Sequence, residues 1–223
     1  VRCDPMAPSG ALPGVSRFRY AATFRFRGNI ADHYIARVQD CCRSGAQASQ
    51  LTSPGMDFLC IQADLFQPTA GNSSPRFEGE LTPFLYQNAP TSLSLGPSNP
   101  DGGTTTILLG PILGRRGCEV YTPADYTGGL GPNTPLPTAQ GGPLQVDAQT
   151  GTVSFTPTQQ GFYSMGFFIE ERDANGQLLS RIQRENIFVV IPSISTIATG
   201  QLPGVATVNA SRPFPLEVVI RRQ

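Results

Sequence analysis

Short segments of alternating hydrophobic and polar residues run through most of the chain, separated by polar segments rich in glycine and proline. In residues 17–27 the aromatic side chains occupy one face of the alternation and four arginines occupy the other. Strict period-two alternation is typical of a half-buried strand. The sequence predicts further strands at residues 33–38, 56–65, 83–86, 92–95, 104–109, 144–147, 152–155, 162–172 and 178–184, and the continuous apolar run at 187–191 predicts a buried terminal strand. No segment predicts a helix, so we expect an all-β fold.

Glycine, proline and asparagine mark the connections between these predicted strands. Asn99–Gly103 and Asp173–Gly176 are expected to be tight turns, the second closing a hairpin. Residues 122–143 are expected to form a long surface loop. A polar segment at residues 68–74 suggests a boundary, which gives an N-terminal β-sandwich with an extended leader (1–73), a second sandwich (74–191) and a C-terminal segment (192–223).

The last predicted strand of the C-terminal segment is apolar and comprises Leu216–Ile220. Its 32 residues are too few to form a sandwich alone. They either complete one of the preceding domains or pair with another molecule. If they pair with another molecule, Leu216, Val218 and Ile220 are the candidate residues of a donated assembly strand.

Composition narrows the function classes. Charged residues make up only 14% of the chain, and 16 basic residues balance 16 acidic ones. Every basic residue is an arginine, so phosphate-loop lysines and Schiff-base chemistry are excluded. Without a basic excess, nucleic-acid binding is not expected, and a neutral surface tolerates self-association. No apolar run of 18 residues occurs, so membrane insertion is not expected either.

Five cysteines and a single histidine bear on metal and redox chemistry. No C-x-x-C pair occurs and His33 is the only histidine, so we expect disulfides rather than a zinc site. We expect Cys60 to pair with Cys41 or Cys42, and Cys3 to take the other, although the sequence alone does not fix the pairing. The remaining cysteine is Cys118.

An ordered set of motifs carries a family resemblance. The motifs are Asp40–Arg43, Asn72–Phe77, Asn99–Gly103, Asp147–Pro157, Gly161–Tyr163, Glu170–Arg172 with Gly176, and Ser180–Asn186. In this order and spacing the chain resembles the Ig-like or cadherin-like repeat regions of Bacteroidetes gliding-motility-associated surface proteins, which are exported by type IX secretion. The resemblance covers roughly residues 20–191. It implies tandem Ig-like or cadherin-like β-sandwiches on the extracellular cell surface, and it supplies no catalytic residues.

One departure from the family concerns calcium. The family usually has an Asp-Pro-Asp-Gly-Asp turn, whose positions are Asn99, Asp101 and Gly103 here. Two of the three carboxylates are lost, and a hard cation requires several oxygen ligands. Asn99 and Asp101 remain the candidate calcium ligands, and no other cofactor is expected.

The remaining polar residues have simpler explanations than catalysis. A Ser-His-Asp or Cys-His site would have to use His33, which we place at the exposed start of a strand. Glu170 and Glu171 are neighbours on a strand and face opposite sides of the sheet, so they cannot flank one glycosidic bond. We expect both at a solvated hairpin end. The arginine stripe at residues 17–27 is expected to face carboxylates or solvent rather than an anionic polymer.

Two hypotheses from different classes follow. The first is a non-enzymatic structural protein that forms a fibre or surface layer, either as a homo-polymer or with neighbouring surface-protein domains. The second is an adhesin module of a larger surface protein, whose loop at 122–143 contacts a glycan or protein ligand. The first predicts large assemblies of the pure protein, and the second predicts a monomer that binds a ligand.

Overall fold

The fold is built from β-strands joined by turns and irregular segments. The computed structural model describes residues 23, 33–40, 43, 49–52, 58–66, 72–114 and 122–193, and these residues include no helix. The strands are β1 (His33–Asp40), β2 (Leu59–Phe66), β3 (Arg76–Phe77), β4 (Phe84–Tyr86), β5 (Thr91–Ser94), β6 (Pro97–Ser98), β7 (Thr104–Gly110), β8 (Gln145–Val146), β9 (Thr152–Phe155), β10 (Gly161–Arg172) and β11 (Leu178–Ile191). The expected all-β class is confirmed. The part of the chain described here contains no helix that could cross a membrane.

The largest sheet has six strands. Its order is β1-β2-β11-β10-β7, and β4 joins the β2 side of β11 as a parallel strand. The hairpin of β10 and β11 forms its centre, with pairs running from Gly161↔Val190 to Arg172↔Leu178. The Asp173–Gly176 turn closes it as predicted: Asp173 caps the turn through its side chain, and Gly176 supplies the positive φ of 81°.

The strand at the end of this hairpin is longer than the sequence pattern indicates. Two separate strands were expected at 178–184 and 187–191, but β11 is continuous from Leu178 to Ile191. Glu185 and Asn186 interrupt the apolar pattern. Asn186 is buried, the side chain of Glu185 is only 4% exposed, and both are bonded to distant residues. Polar residues therefore lie in the middle of the strand because partners elsewhere in the chain bind the Glu185 carboxylate and the Nδ2 group of Asn186, while Asn186 Oδ1 has no hydrogen-bond partner among the described residues.

One side of the six-stranded sheet carries the main apolar core, and we call it the apolar face. It bears the odd-numbered side chains of β10 and the even-numbered side chains of β11. The three-stranded sheet β5-β9-β8 packs on it through Leu93, Val153 and Phe155. Phe155 and Phe188 meet edge-to-face, with ring centroids 5.8 Å apart. The two-stranded sheet β3-β6 lies at the margin, where Phe77 packs against this core.

The opposite side, which we call the polar face, bears Glu170 of β10 and Arg181 and Glu185 of β11. Irregular segments rather than a sheet approach it. At Gly166 of β10 a Cβ atom would lie 2.7 Å from the backbone oxygens of Gly110 and Pro111. Only glycine allows the chain leaving β7 to approach β10 this closely.

Strands on the two sides of the predicted boundary after residue 73 belong to one sheet. β2 pairs with β11 through Leu65↔Ser180, Asp64↔Arg181 and Ala63↔Ile182. The described strands before residue 73 are therefore continuous with those after it, in contrast to the two separate sandwiches that we expected. The polar segment at 68–74 signals a connection, but it carries no information on which strands pair beyond it.

Residues 122–143 contain no strand, as expected, but they do not lie wholly on the surface. Ala124, Pro135 and Leu136 are buried, and Leu136 belongs to the core on the apolar face. Ala124 packs with Leu51 and Ile112 in a second, smaller cluster. The expectation of a surface loop was wrong for these positions. The sequence shows that the segment lacks strand periodicity, but it does not show which single side chains are buried.

Candidate functional site

The side chains of the candidate calcium turn, Asn99 and Asp101, form hydrogen bonds with other groups of the chain. The Oδ1 atom of Asn99 accepts a bond from the Asp101 backbone N–H at 3.1 Å. The Nδ2 atom of Asn99 donates to Gly103 O at 3.2 Å and to Glu171 Oε1 at 3.0 Å. The carboxylate of Asp101 accepts a bond from the backbone N–H of Ser73. Within the described residues no group of three His, Cys, Asp or Glu side chains comes together, so calcium at Asn99 and Asp101 stays a prediction.

Glu170 and Glu171 occupy opposite faces of the sheet, and both are buried, with 4% and 1% exposure. Glu171 lies on the apolar face and accepts bonds from Ser180 Oγ at 2.9 Å, Asn99 Nδ2 at 3.0 Å and Asn72 Nδ2 at 3.2 Å. The expectation of two solvated side chains was wrong: Asn72 and Asn99 from other segments cover Glu171, and two arginines of the hairpin bind Glu170. The two carboxylates face away from each other, so they do not form an acid–base pair.

Glu170, on the polar face, is bound by two arginines. Arg181 donates from Nε at 2.8 Å and also from Nη2, and Arg172 donates from Nη2 at 2.9 Å. Burial alone would raise the pKa of this carboxyl group, but the bonds from Arg181 and Arg172 outweigh it, and the pKa is lowered from 4.5. Glu170 is therefore ionised at neutral pH and has the environment of a structural carboxylate rather than a general acid.

His33, the only histidine, begins β1 as expected and contacts two residues of β2. Its Nε2 atom lies 3.1 Å from Asp64 Oδ1, and its ring stacks on Phe66 with centroids 4.2 Å apart and an interplanar angle of 8°. The side chain is 40% exposed. These contacts hold β1 against β2, and they account for the histidine without a catalytic role.

A buried ion pair on the polar face was not anticipated from the sequence. Arg43 donates from Nε and Nη2 to the two carboxylate oxygens of Glu185 at 2.8 and 2.7 Å, and each side chain is 4% exposed. The same guanidinium donates to Phe58 O and Leu113 O, both at 2.6 Å. One arginine thus connects three segments with β11. The two residues are 142 positions apart, and no local pattern indicates that they meet.

Tyr126 lies in the same buried region. Burial raises the pKa of Tyr126 to about 12, and the charge of Glu185 contributes to the rise. The phenol is therefore neutral at physiological pH. The ion pair fixes the irregular segments on the polar face and has the character of a structural element, because the guanidinium of Arg43 and the carboxylate of Glu185 are used in bonds within the chain.

A small open cleft lies at the edge of the three-stranded sheet. Its volume is about 290 Å³, and its lining residues are Pro90, Thr91, Gly141, Gly142, Pro143, Gln145, Ser154, Phe155 and Thr156. Hydroxyl and amide groups beside one aromatic ring are suited to a small polar ligand. The volume is at the lower limit of the roughly 300–1,000 Å³ that ligand sites have.

Exposed apolar side chains are concentrated on strands at the margins of the six-stranded sheet. They include Phe84 and Tyr86 of β4, with Leu81 just before that strand, at 38%, 45% and 43% exposure. The others are Ile35 and Val38 of β1 and Leu108 of β7. Apolar side chains beside an incompletely paired strand provide a surface on which a further strand can bind.

Several predicted site residues lie outside the described part of the chain. These are the assembly residues Leu216, Val218 and Ile220, and the disulfide candidates Cys3, Cys41 and Cys42. Cys60, on β2, is buried and disulfide-bonded. Its pairing with Cys41 or Cys42 stays a prediction.

Comparison with known proteins gives little support for any assignment. No family model and no curated protein matches the chain. Among solved structures, the chain is similar to a Bacteroides fragilis protein assigned as an alpha-galactosidase, with 15% identity and a TM-score of 0.31. The match covers 55% of this chain and 19% of that one. A similarity of this extent indicates neither a shared fold nor a shared activity.

Proposed function

We propose that the protein is a non-enzymatic, extracellular structural protein of the bacterial surface, which self-associates into a fibre or surface layer by strand exchange. The observation that carries the proposal is the exposed apolar strip on β4, a strand that pairs on one side only among the described residues. A chain with zero net charge and 14% charged residues offers little electrostatic resistance to such association.

The polar clusters support a structural role. The carboxylates of Glu170, Glu171 and Glu185 are each bound by donors of the same chain. These carboxylates form hydrogen bonds that join segments of the chain, which is the role expected of buried polar groups in a scaffold. A disulfide at Cys60 is consistent with an oxidising, extracellular compartment.

The test compares the assembly state of the native chain with that of a variant whose donor strand is disabled. The variant carries Leu216→Asp, Val218→Asp and Ile220→Asp, and its matched control carries Ser195→Asp, Thr199→Asp and Thr207→Asp in the same tail. Light scattering after size-exclusion chromatography, with negative-stain images, should show polymers for the native chain and the control and monomers for the variant. A monomeric native chain would refute the proposal.

The alternative is a ligand-binding adhesin module, and the cleft beside β9 favours it. Its lining includes Gly141, Gly142 and Pro143, from the segment expected to contact a ligand. A glycan array with native protein tests this alternative, with Gln145→Trp to fill the cleft and the exposed Gln177→Trp as control. Binding that Gln145→Trp removes and Gln177→Trp preserves would support the adhesin over the structural subunit.

A further inference from the structure

The backbone of β4 presents an unused side. Val189 N–H donates to Pro83 O at 3.0 Å, and Gln87 N–H donates to Ile191 O at 2.8 Å. Alternate residues of a strand direct their backbone groups to the same neighbour, so Pro83, Leu85 and Gln87 face β11. The N–H groups of Phe84 and Tyr86, and the C=O of Phe84, therefore point away from β11. Among the described strands, none pairs with this outer side of β4.

Side chains on β4 add an apolar surface to this edge. Phe84 and Tyr86 share one face of the strand, while Leu85 is buried on the other. By register they lie beside Val189 and Ile191 of β11. With three residues, β4 offers few backbone hydrogen bonds to an added strand. Much of the binding free energy would therefore come from burial of the two aromatic rings, at about 25 cal/mol per Å² of apolar surface.

The described chain ends beside β4, on the side that faces β11. The Oγ atom of Ser193 donates to Gln87 O, one residue beyond β4, and the backbone of Gln87 is directed to β11. Residues 194–215 separate this point from the predicted strand Leu216–Ile220. A return to the outer edge within the same molecule would only have to cross β4, a distance of about 10 Å, because adjacent strands lie roughly 4.8 Å apart. The 22 residues present can span roughly 70–80 Å when extended, well beyond the roughly 30 Å diameter of a small domain.

We propose that the outer edge of β4 is the acceptor for Leu216–Ile220 of a second copy of this chain. The side chains of Leu216, Val218 and Ile220 share one face and extend the apolar strip formed by Phe84 and Tyr86. The inference rests on the proposed self-association and adds its binding site. Because donor and acceptor lie at different places on one chain, the contact is heterologous and propagates from copy to copy.

The test separates the acceptor from the donor. Tyr86→Lys places a charge on the acceptor edge, and Leu108→Lys, at a comparably exposed position on β7, is the matched control. We expect Tyr86→Lys to convert polymers to monomers and Leu108→Lys to leave them intact. Phe84→Lys provides a second acceptor variant, and circular dichroism with thermal melting verifies that each variant is folded.

A mixing experiment tests whether the strand is exchanged between molecules. The Tyr86→Lys chain keeps its donor strand, and the triple-Asp tail variant keeps its acceptor edge. Each is expected to be monomeric alone, while an equimolar mixture should give a dimer of twice the 23.8 kDa chain mass and nothing larger. A mixture that stays monomeric would overturn the proposal.

Other outcomes distinguish this inference from the proposed function. If polymers persist in Tyr86→Lys and Phe84→Lys but disappear in the tail variant, self-association stands and the β4 acceptor is refuted. If the native chain is monomeric, and hydrogen exchange shows the amides of Phe84 and Tyr86 protected only when the tail is intact, the strand docks within its own molecule. That result would overturn both proposals.

Discussion

The two faces of the six-stranded sheet are stabilised in different ways. On the apolar face, Met165, Phe167 and Ile169 of β10 are fully buried against a regular three-stranded sheet. On the polar face, the ion pair of Arg43 and Glu185 is as deeply buried, but irregular segments surround it. The stability of the apolar face depends on the volume of buried side chains, whereas the stability of the polar face depends on a few specific ion-pair and hydrogen-bond partners.

This difference indicates how each face should respond to mutation. Loss of a methyl group on the apolar face removes part of a large, distributed contact area. Loss of one partner on the polar face leaves an uncompensated charge with little access to water. We therefore expect small graded effects on the first face and large effects, which a second mutation can reverse, on the second.

The largest effect is expected at the buried ion pair. Arg43→Met should lower the free energy of unfolding by about 3–5 kcal/mol, because the Glu185 carboxylate is left buried without its cation. Urea denaturation monitored by circular dichroism measures the change. The double variant Arg43→Met/Glu185→Leu should recover most of the loss, since no unpaired charge remains.

Arg43→Lys is a control variant that keeps the positive charge but loses the bonding geometry of the guanidinium. An ammonium group cannot reproduce the paired Nε and Nη2 bonds to Glu185 together with the bonds to Phe58 O and Leu113 O. We expect an intermediate loss of stability. A double variant no more stable than Arg43→Met would show that the pair acts through packing instead of charge.

A smaller effect is expected on the apolar face. Ile169→Val removes one methylene from a side chain with 0% exposure and should cost about 0.5–1.5 kcal/mol in the same urea measurement. Leu108→Val on β7, at 38% exposure, is the matched control and should change stability less. Equal losses at the two positions would contradict the assignment of this face as the core.

The smallest effect is expected at Glu170, because its arginine partners are 41% and 43% exposed and solvent screens them. The pKa of Glu170 is lowered in the folded state, so its contribution to stability is present above its unfolded pKa, 4.5. That contribution is lost as pH falls through the lower folded value. Arg181→Gln should therefore reduce stability at pH 6 by less than about 1 kcal/mol.

The measurement is the free energy of unfolding of the native chain and Arg181→Gln from pH 6 down to about pH 3. The difference between the two proteins should shrink as the pH falls, since protonated Glu170 no longer attracts the guanidinium. Gln177→Ala, at an exposed position in the turn between β10 and β11, serves as a pH-independent control. A difference that is constant over this range would exclude Glu170 as the titrating group.

Local pattern was sufficient to predict most of the strands. Alternation located β9, a long run rich in apolar residues located β10, and the Asn175-Gly176 pair located the hairpin turn, because these features depend only on residues close in sequence. The continuous β11 was not predicted, since the residues that bind the side chains of Glu185 and Asn186 are about 100 positions or more distant. Only the folded chain brings them together.

The candidate site residues likewise have some features that the sequence predicts and others that it does not. That Glu170 and Glu171 face opposite sides follows from strand geometry, and the structure bears it out. Their burial could not be predicted, because it depends on Asn72 and Asn99 from other segments and on Arg181 from the opposite strand, in addition to the neighbouring Arg172. The exposed rings of Phe84 and Tyr86 could not be recognised either, since a short apolar strand has the same sequence pattern whether it lies at the centre or the edge of a sheet.

The position of β11 has a mechanical consequence. Residue 193 follows this strand directly, so tension applied through the tail of a polymer would act along the strand axis. β11 is paired with β10 over nearly its whole length and with β2 and β4 on its other side. A pull in that direction shears many hydrogen bonds at once instead of opening them one after another. Under tension, the contact between neighbouring subunits would separate first, and the central strands of each subunit would unfold last.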